Sequence, residues 1–313
     1  MSLPQRRIGD LEVSAVGIGC MPMSDPWMLD ERERAIATIH RALDLGITLF
    51  DTSNIYAPTW DAVGHNEALV AEALRSYTGS ADLSEVLVTT KGGITRGEGE
   101  SWGRDSSPDG LRRACEQSLA QLGIDVIDLY QHHRHDPKLT YLEQMRTVKT
   151  LLDAGLVRRI GLSNVTLAEL DLALEELGGP SEGGIVSVQN EFSPRYRHDA
   201  DVLDRCSTLG IAFLPWSPLG GAEEAHDVGS RYSAFRDVGE SVGASPQETV
   251  LAWLLRRSPV IIPIPGATRP ATVDSILRSL SVALTDEQFA TLQATQPRGE
   301  SMYPEDQPRS PLR

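Results

Sequence analysis

The sequence predicts an α/β protein of the (β/α)8 TIM-barrel class, with an N-terminal hairpin and a C-terminal helix and tail outside the repeat. Two patterns predict it. Short apolar runs alternate with amphipathic helical stretches eight times, which favours a closed parallel barrel over an open sheet. Several runs also end in a polar residue, as in barrels that carry their chemistry at the C-terminal ends of the strands. No linker or low-complexity tract interrupts the 313 residues, so 1–313 reads as one domain.

The elements follow in order. Arg6 to Val13, centred on Gly9-Asp10, reads as a hairpin that caps the barrel's N-terminal end. Ala15 to Ile18 is the first strand. Asp30 to Leu45 is a helix with apolar positions at Ala35, Ile36, Ile39, Ala42 and Leu43. Asp30 with Glu33 forms a capping-box pattern, and Gly46 suits the position just past the helix end. A second strand leads to Asp51, and a helix covers Asn66 to Ser76. A third strand leads to Lys91, followed by a helix from Pro108 to Leu122 that Gly123 stops. The fourth strand leads to His133, with a helix over Tyr141 to Ala154 and Gly155 as its stop. Arg159 to Leu162 and Leu167 to Leu177 form the fifth strand and helix. Val186 to Gln189 and Asp199 to Leu209 form the sixth pair. Ala212 to Trp216 is the seventh strand, and a polar insertion, Gly220 to Ser245, precedes a helix from Pro246 to Arg257. Val260 to Ile264 is the eighth strand, and Pro270 to Leu280 the eighth helix. The tail opens with a helix cap at Thr285 or Asp286 and ends in the Pro-rich Pro304 to Arg313.

Bulk properties narrow the function classes. No apolar run reaches the length of a membrane span, and Met1 to Asp10 lacks the apolar core of a signal peptide. Cys20, Cys115 and Cys206 are far apart with no CxxC pair, which fits a reduced, cytoplasmic setting. A net charge of −15 argues against nucleic acid or an anionic membrane as partner. A small-molecule partner is expected, and the sequence assigns no oligomeric state.

Asp51, Tyr56, Lys91 and His133 lie at or just beyond the ends of three successive strand-like runs, so a barrel gathers them in one cleft. A carboxylate, a phenol, an amine and an imidazole together suit a proton donor working beside a carbonyl. Tyrosine is a poor acid at its ordinary pKa of about 10, and an adjacent Lys91 is expected to lower that value. Asp51 would hold the lysine charged, and His133 would orient the carbonyl oxygen. Lys suits this position better than Arg, because a compact amine has a tunable pKa.

Two competing motifs are weaker. His132, His133 and His135 with Asp136 could read as a metal site. However, adjacent residues of one strand face opposite ways, and His40, His65, His198 and His226 are scattered, so no metal is expected. His132 is expected to pack outside the barrel. The G-x-G at Gly17 to Gly19 lacks the third glycine of a dinucleotide fingerprint.

Gly46-Ile47-Thr48-Leu49-Phe50-Asp51-Thr52-Ser53-Asn54-Ile55-Tyr56 and Gly64-His65-Asn66-Glu67 resemble the aldo-keto reductase signature. Val88 to Lys91 and Ile127 to His133 resemble that family's lysine and histidine strands. Ile160 to Asn164, Val188 to Glu191, Trp216 to Gly220 and Ile264 to Arg269 are similar to its cofactor-binding segments. The resemblance runs the length of the chain in order. It implies the roles just given for the four residues, and NADP(H) as cofactor, with NAD(H) as the alternative. It also implies contacts from Gly19, Cys20 and Met21, from Asp51, and a carboxamide site at Ser163, Asn164 and Gln189. Trp216 is implied to stack on the nicotinamide. Ser217, Pro218, Leu219 and Gly220 would approach the pyrophosphate through backbone N–H groups. Gly266, Ala267, Thr268 and Arg269, with Thr272 and Ser275, would meet the adenosine phosphate. This last segment departs from the family, which often has Arg, then Glu-Asn, where this chain has Thr272, Ser275 and Ile276. The substrate pocket is implied to include Met21, Trp27, Ile55, Tyr56, Trp102 and Arg134. Two other readings stay open. One is a cofactor-binding regulatory subunit of reductase type with little turnover; the other is a metal-dependent barrel hydrolase.

Overall fold

A computed structural model describes residues 3–303 and 309–313. Part of the Pro-rich tail expected at Pro304 to Arg313 therefore lies outside the described residues. The chain opens with a hairpin of β1 (Gln5–Ile8) and β2 (Leu11–Ser14), then β3 (Ile18–Gly19), α1 (Arg32–Asp44), β4 (Leu49–Asp51) and α2 (His65–Ser76). Next come β5 (Leu87–Gly92), a second hairpin of β6 (Ile94–Gly97) and β7 (Ser101–Arg104), and α3 (Pro108–Leu122). The strand–helix pairs β8 (Leu129–His132) with α4 (Tyr141–Asp153), β9 (Ile160–Ser163) with α5 (Leu167–Leu177), and β10 (Ile185–Gln189) with α6 (Ala200–Leu209) follow. After β11 (Ala212–Phe213) come α7 (Ala222–Ala225), α8 (Val228–Arg231), α9 (Ser233–Val242), α10 (Pro246–Arg257), α11 (Pro270–Arg278) and α12 (Asp286–Gln293).

Seven strands form one parallel sheet in the order β3-β4-β5-β8-β9-β10-β11. The expected eighth strand is not a regular strand. Pro263 and Pro265 have no N–H to give a ladder, so 260–266 makes one bridge to each edge: Ile261 to Phe213 and Gly266 to Gly19. The proline carbonyls still serve, accepting from Gly17 N at 2.9 Å and Gly19 N at 3.0 Å.

Strand alternation sorts the side chains into two cores. Phe50 and Tyr130 point outward into the core under the helices. Leu49, Leu87, Leu129, Val186, Ala212, Leu214, Ile262 and Ile264 form an apolar interior that Ile8 and Val13 of the first hairpin plug from below. Two residues further along the same faces come Thr89 and Gln131, and then Lys91 and His133. The candidate site side chains thus sit on top of a packed apolar floor. Arg6 fastens the plug, donating to Ser258 O at 2.6 Å and to the carbonyls of Leu255 and Ile261.

Among the described residues four α-helices start with a capping box, at Thr140/Glu143, Thr166/Glu169, Ser245/Glu248 and Thr285/Gln288. The box expected at Asp30/Glu33 does not form. Pro26–Glu31 winds into a 3-10 turn that takes up Asp30, and α1 starts at Arg32 with no side-chain cap. Gly46 does sit just past the end of α1 with φ +86°, a conformation that suits glycine. The Gly220 to Ser245 insertion holds three short helices, held by buried Val228, Tyr232, Phe235 and Val238.

Ile8 is fully buried at the centre of the plug. Ile8→Ala is expected to cost about 2–5 kcal/mol in urea unfolding, as deletion of packed methyl groups does. A loss well under 1 kcal/mol, outside that range, would show that the hairpin does not support the floor.

Candidate active site

Lys91 is fully buried, and its three ammonium protons have three acceptors. Nζ donates to Asp51 Oδ2 at 2.7 Å, to Thr52 O at 2.8 Å and to Tyr56 Oη at 3.2 Å. Asp51 is held in turn by Gln189, whose Nε2 donates to Oδ1 at 2.8 Å, with Gln131 Nε2 at 3.4 Å. Burial pulls the Lys91 amine down, but Asp51 and Tyr56 outweigh it and its pKa lies above the ordinary lysine value. The expected lowering of Tyr56 is not the net result. Desolvation pushes the phenol up more than Lys91 pulls it down, so Tyr56 holds its proton at neutral pH. Because Tyr56 Oη accepts from Lys91, its own proton is left for another acceptor.

His133 stands edge-on to Tyr56, ring centroids 5.9 Å apart. Burial, reinforced by Lys91 and Arg134, holds its pKa well below 6.5, so the ring is neutral. Its Nδ1 lies 3.3 Å from Ser53 Oγ. In the tautomer that carries the proton on Nε2, Nδ1 accepts from Ser53. The neighbouring histidines diverge. His132 Nε2 bonds Ser106 Oγ at 2.9 Å outside the sheet, beside Tyr141, and His135 Nδ1 lies 3.0 Å from Ser310 Oγ. Three histidines on three different hydroxyls do not converge on one ion. Among the described residues no group of three or more His, Cys, Asp or Glu could hold one.

The expected carboxamide residues come together at the ends of β9 and β10. Asn164, at φ +59°, donates from Nδ2 to Ser163 Oγ at 2.8 Å and to His133 O at 3.0 Å, and accepts from Trp216 Nε1 at 3.0 Å. Ser163 donates to Gln189 O at 2.8 Å. Trp216 is half-buried rather than a core residue, with the ring of Tyr303 5.5 Å away. Ser217 has φ +46°, and this second strained non-glycine residue lies next to Trp216. Pro218 is buried and Leu219 packs on the outer core. Gly220 N–H is not free for a phosphate, since it closes a turn onto Ser217 O at 2.8 Å.

At α11, Arg269 is the N-cap, exposed and without a capping side-chain bond to the helix, and its Nε lies 3.3 Å from Thr272 Oγ1. An open helix N-terminus beside a guanidinium is a fitting place for a phosphate. Gly266 and Thr268 lie on this approach, while Ala267 is packed into the outer core. Ser275 is turned away, its hydroxyl donated to Glu248 Oε1 at 2.8 Å. Cys20 also departs from expectation. Its side chain is in the outer core, its N–H donates to Asp51 O at 2.8 Å and its carbonyl accepts from Asn66 at 2.8 Å. Gly19, bridged to Gly266, ties this strand end to 260–266.

Met21, Trp27 and Trp102 are exposed, and Ile55 is buried beside Tyr56. Arg134 is not a solvated rim charge. It is 5% exposed, with its guanidinium 4.3 Å from the centre of the Tyr303 ring. Sequence reasoning missed Ser53, Gln131, Tyr303 and Arg96. Arg96 donates to Ala57 O at 2.5 Å and stacks on Trp102 at 4.9 Å, tying the Tyr56 loop to the second hairpin. Ser53 and Gln131 were within reach, since each lies two residues from a functional residue on the same strand or turn. Nothing in the local sequence marks Tyr303.

The sequence profile of the Aldo/keto reductase family matches residues 15–296. The chain is 33% identical over 289 residues to an uncharacterized oxidoreductase of Schizosaccharomyces pombe, covering 91% of this chain and 88% of the relative. It is also 33% identical over 294 residues to the pyridoxine 4-dehydrogenase of Escherichia coli, covering 91% and 96%. Its fold resembles an aldo/keto reductase from Klebsiella pneumoniae solved with NADP and acetate, at TM-score 0.77, 22% identity and coverage of 94% and 96%. A glycerol dehydrogenase from Gluconobacter oxydans is similar at TM-score 0.77 and 24% identity, covering 96% and 99%. With its profile match and two relatives spanning nearly its whole length, this chain belongs to the aldo/keto reductase family.

Proposed function

We propose that this protein reduces a small aldehyde or ketone to the alcohol with NADPH, and that Tyr56 supplies the proton. The observation that carries this reading is the saturated ammonium of Lys91, which donates one hydrogen bond to Tyr56 Oη and leaves the phenolic proton for the substrate. NADPH, when bound, supplies the hydride. Tyr56 gives its proton to the carbonyl oxygen as charge develops there, and Lys91 stabilises the phenolate left behind. Neutral His133 donates from Nε2 to the same oxygen and orients it. Asp51 keeps Lys91 charged. Ser163, Asn164 and Trp216 would hold the nicotinamide end, and the α11 N-terminus with Arg269 the 2′-phosphate. Within this reading, 260–266 is the eighth stave of a closed barrel that brings α11 to the cofactor.

The exposed Met21, Trp27 and Trp102 give the pocket an apolar, aromatic rim suited to a flat or ring-bearing carbonyl compound. Because one relative is a pyridoxine 4-dehydrogenase, a pyridoxal-type aldehyde is the first substrate to try. Three buried free cysteines fit a reduced, cytoplasmic setting. A regulatory subunit would bind NADPH without steady turnover, so turnover of any simple aldehyde separates the two readings.

Tyr56→Phe should keep NADPH binding and lower kcat about 10²–10⁴-fold, the usual share of general acid catalysis. More than about a tenth of the wild-type kcat would remove Tyr56 from that role. Arg269→Ala should weaken NADPH about ten- to a hundredfold, as loss of a charge-assisted contact does, and leave NADH nearly unchanged. Fluorescence titration of both cofactors reads this out. Equal losses would make Arg269 structural, and a wild type preferring NADH would contradict the assignment of the phosphate site.

A further inference from the structure

The C-terminal segment 309–313 is docked on the face that carries the site. Tyr141 N donates to Pro311 O at 2.7 Å and Leu142 N to Leu312 O at 3.1 Å, so α4 holds the segment by its backbone. The buried Ser310 hydroxyl donates to Asp136 O at 2.8 Å. Arg309 therefore extends from a fixed frame. Its Nη2 donates to the backbone carbonyl of Asn164 at 2.7 Å and to Glu169 Oε2, and its Nε donates to Glu169 Oε1 at 3.1 Å. Glu169 is 1% exposed and is itself the capping-box carboxylate of α5, accepting from Thr166 N at 2.8 Å.

We propose that Arg309 is a positioning residue for the cofactor site, clamping Asn164 in its left-handed conformation so that Asn164 can serve His133 and Trp216 at once. The inference rests on the reading of Asn164 and Trp216 as the nicotinamide end of the site. Asn164 at φ +59° has backbone and side chain both committed: its side chain bonds His133 O, Ser163 Oγ and Trp216 Nε1, and its carbonyl bonds Arg309. That carbonyl belongs to the peptide that sets ψ of Asn164, whose N–H, that of Val165, donates to Asn190 Oδ1 at 3.0 Å, so Arg309 holds the residue in the conformation that aims its side chain at those three partners. The planar guanidinium suits the task because it reaches a carboxylate and a carbonyl in one rigid fork. A lysine ammonium in its place keeps the charge against Glu169 but lacks that fork.

The test compares wild type, Arg309→Ala and Arg309→Lys as full chains, by melting temperature and by fluorescence titration with NADPH and with NADH. Since the clamp acts at the end common to both cofactors, Arg309→Ala should weaken both about tenfold or more, in contrast to a 2′-phosphate contact. Arg309→Lys should recover the melting temperature but not the affinity. Binding within about twofold of wild type in Arg309→Ala, little more than 0.4 kcal/mol, overturns the clamp. Affinity and melting temperature recovering together in Arg309→Lys overturn it too, because that is what a purely structural ion pair does. Should Arg309→Ala not fold, Arg309→Lys decides alone: weakened binding at unchanged melting supports the clamp, and unchanged binding overturns it. A wild type that binds neither cofactor is a different failure, and it removes the carbonyl-reductase reading together with the clamp.

Discussion

A lysine ammonium buried without access to solvent is the constraint around which the functional face is built. An unpaired charge at that depth is prohibitive, and removing one partner of such a pair typically costs about 3–5 kcal/mol. Lys91 meets the constraint with three acceptors at 2.7, 2.8 and 3.2 Å, all from the end of β4 and the turn that follows it. Each acceptor brings its own requirement. Asp51 needs both oxygens occupied, and Gln189 and Gln131 donate to the one that Lys91 does not use. Thr52 O must point inward, which sets the turn that carries Tyr56. The phenol is then aimed by the same bond that completes the lysine's coordination.

The same network joins the side of the face proposed to donate the proton to the side proposed to hold the cofactor. Gln189 reaches Asp51 from β10, and its own carbonyl accepts from Ser163. Asn164 links Ser163 to the backbone of His133 and to the indole of Trp216. Strain is concentrated where these links meet, at Asn164 and Ser217, two of the three non-glycine residues with positive φ among the described residues. Below lies an apolar floor plugged by the first hairpin. Above lie later parts of the chain, Tyr303 across Trp216 and Arg134, and Arg309 behind Asn164. The floor is apolar side-chain packing, whereas the upper layer is made of long-range polar and aromatic contacts.

What the sequence made legible divides along the same line. Strands ending at Asp51, Lys91, His133, Ser163 and Gln189 could be read because short apolar runs and their polar ends are local patterns. The meeting of the four site residues followed from topology alone. Departures occurred where a distant partner overrides local signal. Asp30 looks like a cap, but Pro26 starts a tighter turn that absorbs it. Val260 to Ile264 is apolar enough for a strand, yet alternate prolines leave it only single bridges. Cys20 and Ser275 fall within cofactor-like segments, but core packing takes the first and Glu248 the second. The direction of the Tyr56 shift could not be read from adjacency to Lys91, because desolvation is a property of the folded cleft. Tyr303 and Arg309 contact residues more than eighty positions away, and no pattern in their own neighbourhood announces this.

The central claim is that Lys91 and Tyr56 form one electrostatic unit in which the phenol keeps its proton at neutral pH. Tyrosine-specific isotope labelling followed through a pH titration tests this directly, with the Tyr56 resonance assigned by its absence in Tyr56→Phe. The account predicts that in the cofactor-free protein Tyr56 titrates above the ordinary tyrosine value of about 10, and higher still in Lys91→Met, where the one favourable charge is gone. A Tyr56 resonance that titrates below pH 8, about two units beneath that ordinary value, or at the same pH with and without Lys91, would contradict it.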